Sequence, residues 1–301
     1  MFSLSTSWNA YKYDNGNDII EEIKALGFDT VELSFALTQK ITDDILKLKK
    51  SGSIKVSSLH NMCPLPPEIE REKASPDYYS LSSLDERERV LAIKAAKNTI
   101  DYAGMFEAKA VVFHIGRVEV KGRTRELASL ITDKERFSAV KKAMIEERSA
   151  RKGAHIKKVI ESLKEVVSYA KKRGIAPAIE NRYYYREIPL PEELEEIFGH
   201  FAKGELYYWH DVGHAEVSQA LGFDSHKDFL DKFSSRLIGV HLHDIIYPID
   251  DHKAPGHHGF DFNILQPYIN KGTIKVIEAH KPVTGDQIRA SVGYLTKIFG
   301  D

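Results

Sequence analysis

Along most of this chain, short apolar runs rich in Val, Ile and aromatics alternate with longer stretches whose apolar residues recur every three or four positions. The short runs fall at 2–8, 30–35, 54–60, 110–115, 176–180, 206–210, 238–243 and 274–278. Their near-continuous apolar character is that of strands covered on both faces. Helical periodicity occupies 18–26, 43–50, 86–103, 155–172, 191–201 and 287–299. Gly27 and Gly174 stand just beyond two of these runs, where a helix end favours a residue without a Cβ. Eight strand–helix units in succession predict an α/β fold, a (β/α)8 barrel, with residues 1–301 forming one domain. A doubly wound sheet would not need eight units, and no glycine-rich phosphate loop follows the first strand. The exception to the regular alternation is 116–154, a highly charged segment between the fourth strand and its main helix. It reads as a loop plus an extra helix, an insertion capping the barrel mouth.

Composition narrows the class. A chain of 301 residues with 42% apolar and 29% charged positions can bury a full core without covalent staples. Its single cysteine, Cys63, excludes an internal disulfide and a Cys-rich zinc module. No run approaches the ~20 apolar residues of a membrane span, and the first five residues lack the basic and apolar regions of a signal peptide. A soluble, cytoplasmic protein is the expectation. A net charge of −1 supplies no general attraction for nucleic acid. The departure from average usage is histidine: thirteen in all, ten of them after residue 199. Neutral imidazole is the commonest borderline metal ligand.

In a barrel of this kind the C-terminal strand ends surround the site. His60 ends the third strand, His114 the fourth and Glu180 the fifth; Asp211 and His214 follow the sixth. His241 lies late in the seventh, Asp250 and His252 in the loop after it, and Glu278 ends the eighth. Carboxylates gathered this closely raise one another's pKa, and divalent cations remove that penalty. Imidazole and carboxylate without thiolate suit Zn, Mn, Co or Fe. One ion takes four to six protein and water ligands, so nine groups predict one to three ions, or one ion plus substrate contacts. Glu32, at the end of the second strand, is expected to hydrogen-bond substrate oxygens. Arg117, Lys121, Arg123 and Arg125 follow the fourth strand, while Arg182 and Arg186 flank three tyrosines after Glu180. Of these, Arg117 and Arg182 are the candidates for holding an anionic substrate group. The Lys/Arg run over 141–158 reads as a solvated helix face, and His243, His257 and His258 as loop packing or as support behind the ligands.

The stretches Ile179-Glu180-Asn181, Asp211-Val212-Gly213-His214, His241-Leu242-His243-Asp244 and Asp250-Asp251-His252-Lys253-Ala254-Pro255-Gly256 resemble the xylose-isomerase-like TIM-barrel superfamily. That superfamily holds sugar isomerases and epimerases together with AP endonucleases of the endonuclease IV type. The isomerase branch implies one divalent ion on Glu180, Asp211, His241 and Glu278. The endonuclease branch implies a three-metal cluster that adds His60, His114, His214, Asp250 and His252. By the same resemblance Glu180 and Glu278 exchange the substrate proton and His214 binds substrate oxygens. Departures bear on the choice. A Tyr-Leu pair that enters abasic DNA is replaced here by Asn61-Met62, and Asp-Thr-Cys-His by Asp211-Val212-Gly213-His214. Ketohexose epimerases usually carry an Arg six residues after the seventh-strand histidine, where this chain has Tyr247. The reading is a metal-dependent isomerase or epimerase of a sugar, sugar phosphate or polyol acid. The alternatives are a multi-metal phosphodiesterase and an inert sugar-binding barrel, and the complete ligand set argues against the latter. A small sugar is the expected partner, with nucleic acid and membrane disfavoured and a homo-oligomer compatible.

Overall fold

The computed structural model describes residues 2–300. Eight parallel strands close into a barrel: β1 (Ser3–Ser5), β2 (Thr30–Leu33), β3 (Lys55–His60), β4 (Ala110–Phe113), β5 (Ala176–Glu180), β6 (Tyr207–Asp211), β7 (Leu237–Leu242) and, after a separate hairpin, β10 (Ile274–Ile277). Each pairs with its sequence neighbour in the barrel, and β10 closes the ring on β1. The hairpin is β8 (Asp244–Ile246) with β9 (Asp250–Lys253), antiparallel and outside the barrel. All eight barrel strands fall within the apolar runs of the sequence or overrun them by a residue.

Two apolar layers hold the strands. Ala110, Val112, Ala178, Trp209, Ile274 and Val276 form an inner cluster that fills the barrel. The outer faces pack against helices in a second, continuous core. Trp209 fits because its neighbour across the β6–β7 ladder is Gly239. A Cβ at Gly239 would stand 2.1 Å from the indole ring. The barrel is therefore solid below its mouth, and polar side chains concentrate above the plug.

The helices are α1 (Gly16–Ala25), α2 (Gln39–Lys50), α3 (Glu86–Phe106), α4 (Thr124–Ser129), α5 (Lys134–Arg173), α6 (Pro191–Phe198), α7 (Val212–Ala220), α8 (His226–Phe233) and α9 (Gly285–Phe299). The segment 116–154 differs from the expected loop plus separate helix. Only α4 is an extra element; 134–154 is the first half of the 40-residue α5, capped by Asp133 and ended by left-handed Gly174. Nothing in that stretch breaks a helix except Gly153, which meets no neighbour at its Cβ position and costs only its propensity. The helix is tied down by Arg148, buried and paired through both guanidinium nitrogens with the Glu193 carboxylate of α6. It also donates to the Glu187 carbonyl at 2.7 Å. Among the described residues no helix is long and apolar enough to cross a membrane.

Candidate metal centre

Four side chains meet at the mouth from four adjacent strands. Glu180 ends β5, Asp211 ends β6, His241 lies in β7 and Glu278 follows β10, with one ligand atom of each within 4.8 Å of the others. His241 is the hub. Its Nδ1 lies 2.6 Å from Glu180 Oε1, 3.0 Å from Glu278 Oε2 and 3.5 Å from Asp211 Oδ2. Its Nε2 faces the other way, 3.0 Å from Glu32 Oε1. Burial alone would push this imidazole towards neutrality, but Glu278, Glu32 and Glu180 hold its pKa well above the ordinary value. Glu180 shows the converse: burial opposes ionisation, yet His241, His114 and His60 keep it well below the usual carboxylate range.

Three further groups flank this one. His60, His114 and Glu180 form the first, His214, Asp251 and His252 the second, and His243, His252 and Glu278 the third. His114 presents Nε2 to Glu180 Oε2 at 2.7 Å while Nδ1 meets Asp77 at 3.0 Å. Asp77, absent from the sequence expectations, thus stands behind His114 as Glu32 stands behind His241. A carboxylate on the far nitrogen fixes the tautomer and orientation of a ligating histidine. His214 is held likewise: its Nδ1 lies 3.0 Å from the Asn181 carbonyl, leaving Nε2 towards Asp251 at 3.9 Å. Asp211 caps α7 by accepting the His214 N–H at 2.7 Å, so one residue both terminates a strand and places a histidine in the following turn.

Several expectations need correction. Asp250 does not join the cluster; its side chain is 61% exposed and paired with Lys253 at 2.8 Å. Asp251 takes that place, 3.1 Å from His252 Nδ1; the β8–β9 ladder is irregular and His252 has positive φ, so Asp251 and its neighbour His252 turn to the same side. Glu32 does not reach the mouth. It is fully buried beneath His241, with the Ser58 hydroxyl donating to it at 2.8 Å. Arg182 is buried with its charge committed to Asp77 at 2.9 Å, Glu187 at 3.3 Å and Glu180 at 3.4 Å. It neutralises the site's carboxylates and offers no free fork to a substrate anion. Arg117 is half-buried and donates to the Asp77 carbonyl at 3.2 Å.

Of the two places expected for His243, the structure gives the one behind the ligands, within reach of the site itself. It is fully buried, accepts the His252 N–H on Nδ1 at 2.9 Å and faces both Asp211 oxygens from Nε2 at 2.9 and 3.0 Å. Its ring stacks on His252, and His252 stacks on His280 at 3.8 Å. Burial, helped by its neighbour His252, lowers the His280 pKa to about 3, so it serves as a neutral wall.

The donor set fits a divalent cation. Three buried carboxylates converge on one imidazole nitrogen, a concentration of negative charge that low-dielectric surroundings penalise and a dication offsets. Oxygen and imidazole donors without sulfur suit Mn, Co, Fe or Zn.

The family profile described as xylose isomerase-like TIM barrel matches residues 20–272. No curated protein matches the chain in sequence. Among solved structures it is similar to a D-tagatose 3-epimerase-like protein, at 20% identity and a TM-score of 0.71, covering 99% of this chain and 96% of that one. It is similar to a 3-keto-D-glucoside 4-epimerase from E. coli in the apo form, at 14% identity and a TM-score of 0.68, covering 98% of each chain. A Thermus thermophilus protein soaked with zinc chloride matches at 20% identity and a TM-score of 0.62, covering 99% of this chain and 97% of that one. At these identities the likeness establishes the fold.

Proposed function

The chain belongs to the xylose isomerase-like TIM barrel family, and from that premise we propose that it is a divalent-metal-dependent epimerase or isomerase of a small sugar. The observation that carries the reading is the convergence of Glu180, Asp211, His241 and Glu278 on one point above a solid barrel plug. These four residues would hold the ion. When bound, it would polarise a sugar carbonyl and so acidify the neighbouring carbon. Glu180 and Glu278 approach His241 Nδ1 from β5 and β10, and two carboxylates so placed divide the proton work. One takes the proton from the carbon beside the carbonyl; the other, protonated, returns one to that carbon's opposite face. His214, its Nδ1 turned to Asn181 and its Nε2 3.9 Å from Asp251, presents that Nε2 to hydrogen-bond a substrate hydroxyl.

The test is deuterium wash-in. The chain reconstituted with Mn²⁺ or Co²⁺ is incubated in D2O with D-tagatose, D-psicose or D-fructose, and solvent deuterium should enter the carbon beside the carbonyl. Glu180→Gln and Glu278→Gln should each abolish the exchange while the fold survives.

The three flanking groups favour a second reading, a multi-metal phosphodiesterase. Near three zinc ions per chain and incision of abasic DNA, without deuterium exchange, would install it in place of the first.

A further inference from the structure

A cavity of about 1290 Å³ opens at the opposite end of the barrel from the metal-ligand cluster. Its floor is the strand starts, at Ser3, Thr30, Lys55 and Ile274, whereas the cluster occupies strand ends. The volume exceeds the roughly 300–1,000 Å³ of a ligand pocket, so an organic molecule would fill only part of it. Apolar walls come from Phe106, Ile269 and Phe299. Lysines dominate the polar lining, and two of them are spent: Lys49 pairs with Glu107 at 2.7 Å and Lys55 with Asp29 at 3.1 Å. Lys109, Lys271 and Lys275 also line the cavity, and among the described residues none has a carboxylate partner.

Lys275 is the informative one. It is only 7% exposed, and the Phe2 ring lies 5.9 Å from its ammonium. Burial lowers its pKa, and among the described residues no anion opposes it. A buried ammonium without a counter-charge is costly unless something neutralises it. The ends of α2, α3 and α9 rim the same cavity. Each helix C-terminus is worth about half a negative charge, so the three offset roughly half of the unpaired lysine charge. The cavity remains cationic, and its walls remain apolar.

We propose that this basal cavity binds an organic anion, a phosphate monoester or carboxylate whose apolar body lies against Phe106, Ile269 and Phe299 and whose anionic end meets Lys275, Lys109 and Lys271. The site is independent of the metal-ligand cluster and of the reaction proposed there.

The test is calorimetric titration of the full chain with phenyl phosphate in phosphate-free buffer. Phenylacetate serves as the carboxylate arm and benzyl alcohol as the neutral control. Saturable binding of either anion and none of the alcohol is expected. Lys275→Met, which keeps the stem, should weaken binding about tenfold or more, whereas Lys275→Arg should retain it. Thermal melts identify any variant that fails to fold. The Glu180→Gln/Glu278→Gln double variant should bind like the parent, which separates this site from the mouth. No saturable anion binding, equal affinity in Lys275→Met, or loss only in the double variant would overturn the proposal.

Discussion

Glu32 and His241 meet 3.0 Å apart beneath the metal-ligand cluster, with both side chains sealed from solvent. Together they decide which imidazole nitrogen is available. The Glu32 carboxylate takes the hydrogen on Nε2, and Nδ1 is left pointing at Glu180, Glu278 and Asp211. Glu32→Gln keeps the shape and removes the charge. It should lower divalent-metal affinity by about 10–100-fold while leaving the melting temperature nearly unchanged. Competition against a chromogenic chelator measures the affinity. Parental affinity in the variant would mean that Glu32 only fills space.

A second dependence runs through a missing Cβ. Gly213 sits one residue before His214, and a Cβ there would lie 2.0 Å from Cε1 of His243. The imidazole has no free rotamer to retreat to, since both its nitrogens are engaged. Gly213→Ala should therefore displace His243 from Asp211, cost about 1–3 kcal/mol of stability and reduce metal binding. The Gly213→Ala/His243→Ala double variant should recover most of the stability but not the metal affinity. Chemical denaturation of the three variants reads the non-additivity, and strict additivity would show that the two positions do not clash.

The barrel is legible because strands buried on both faces write continuous apolar runs, and because strand-end polar residues such as His60, Glu180 and Glu278 have few other reasons to be there. The residues behind the ligands are not legible. Asp77 lies in an irregular loop far from His114 in sequence, and nothing local marks it as that histidine's partner. Glu32 stands out as a strand-end carboxylate, but periodicity does not say how deep it sits, so its place below the mouth is hidden. The continuity of α5 is masked by its charge: a helix anchored by one buried arginine, Arg148, shows a weak apolar stripe over its first half.

Asp250 and Asp251 are the sharpest case, because the β8–β9 ladder is irregular and His252 has positive φ, which sequence spacing does not reveal. Asp250 pairs with Lys253 at the surface, while Asp251 turns inward to His252 and His214. Asp251→Asn should therefore weaken metal retention at the flanking group of His214 and His252. Asp250→Asn should leave metal content unchanged and stability within about 0.5 kcal/mol. Metal analysis after dialysis at graded chelator concentrations distinguishes them. Equal effects from the two variants would show that the hairpin register differs from the one described.

Away from the metal-ligand cluster, Asp224 ties stability to pH. Burial is the main cause raising its pKa to about 6, with Glu192 and Asp228 adding to it and Arg148 opposing. The folded-state value lies above that of the free side chain, so the folded protein holds this proton more tightly than the unfolded chain does. The carboxyl's favourable contribution is complete below about pH 4, the range in which the free side chain also takes up its proton. It is lost as pH rises through about 6 and the half-buried group must ionise. Asp224→Asn removes the ionisation and leaves the residue's N–H free to keep its 3.2 Å bond to Ser218 Oγ. Because the group is partly solvated, the relief at pH 8 should be on the order of 1 kcal/mol, or roughly 2 °C in melting temperature. The variant should melt above the parent at pH 8, and the gap should close as pH falls towards 4. Melting curves at half-unit pH steps measure it, and a gap that stays constant across the range would assign the effect to packing instead of charge.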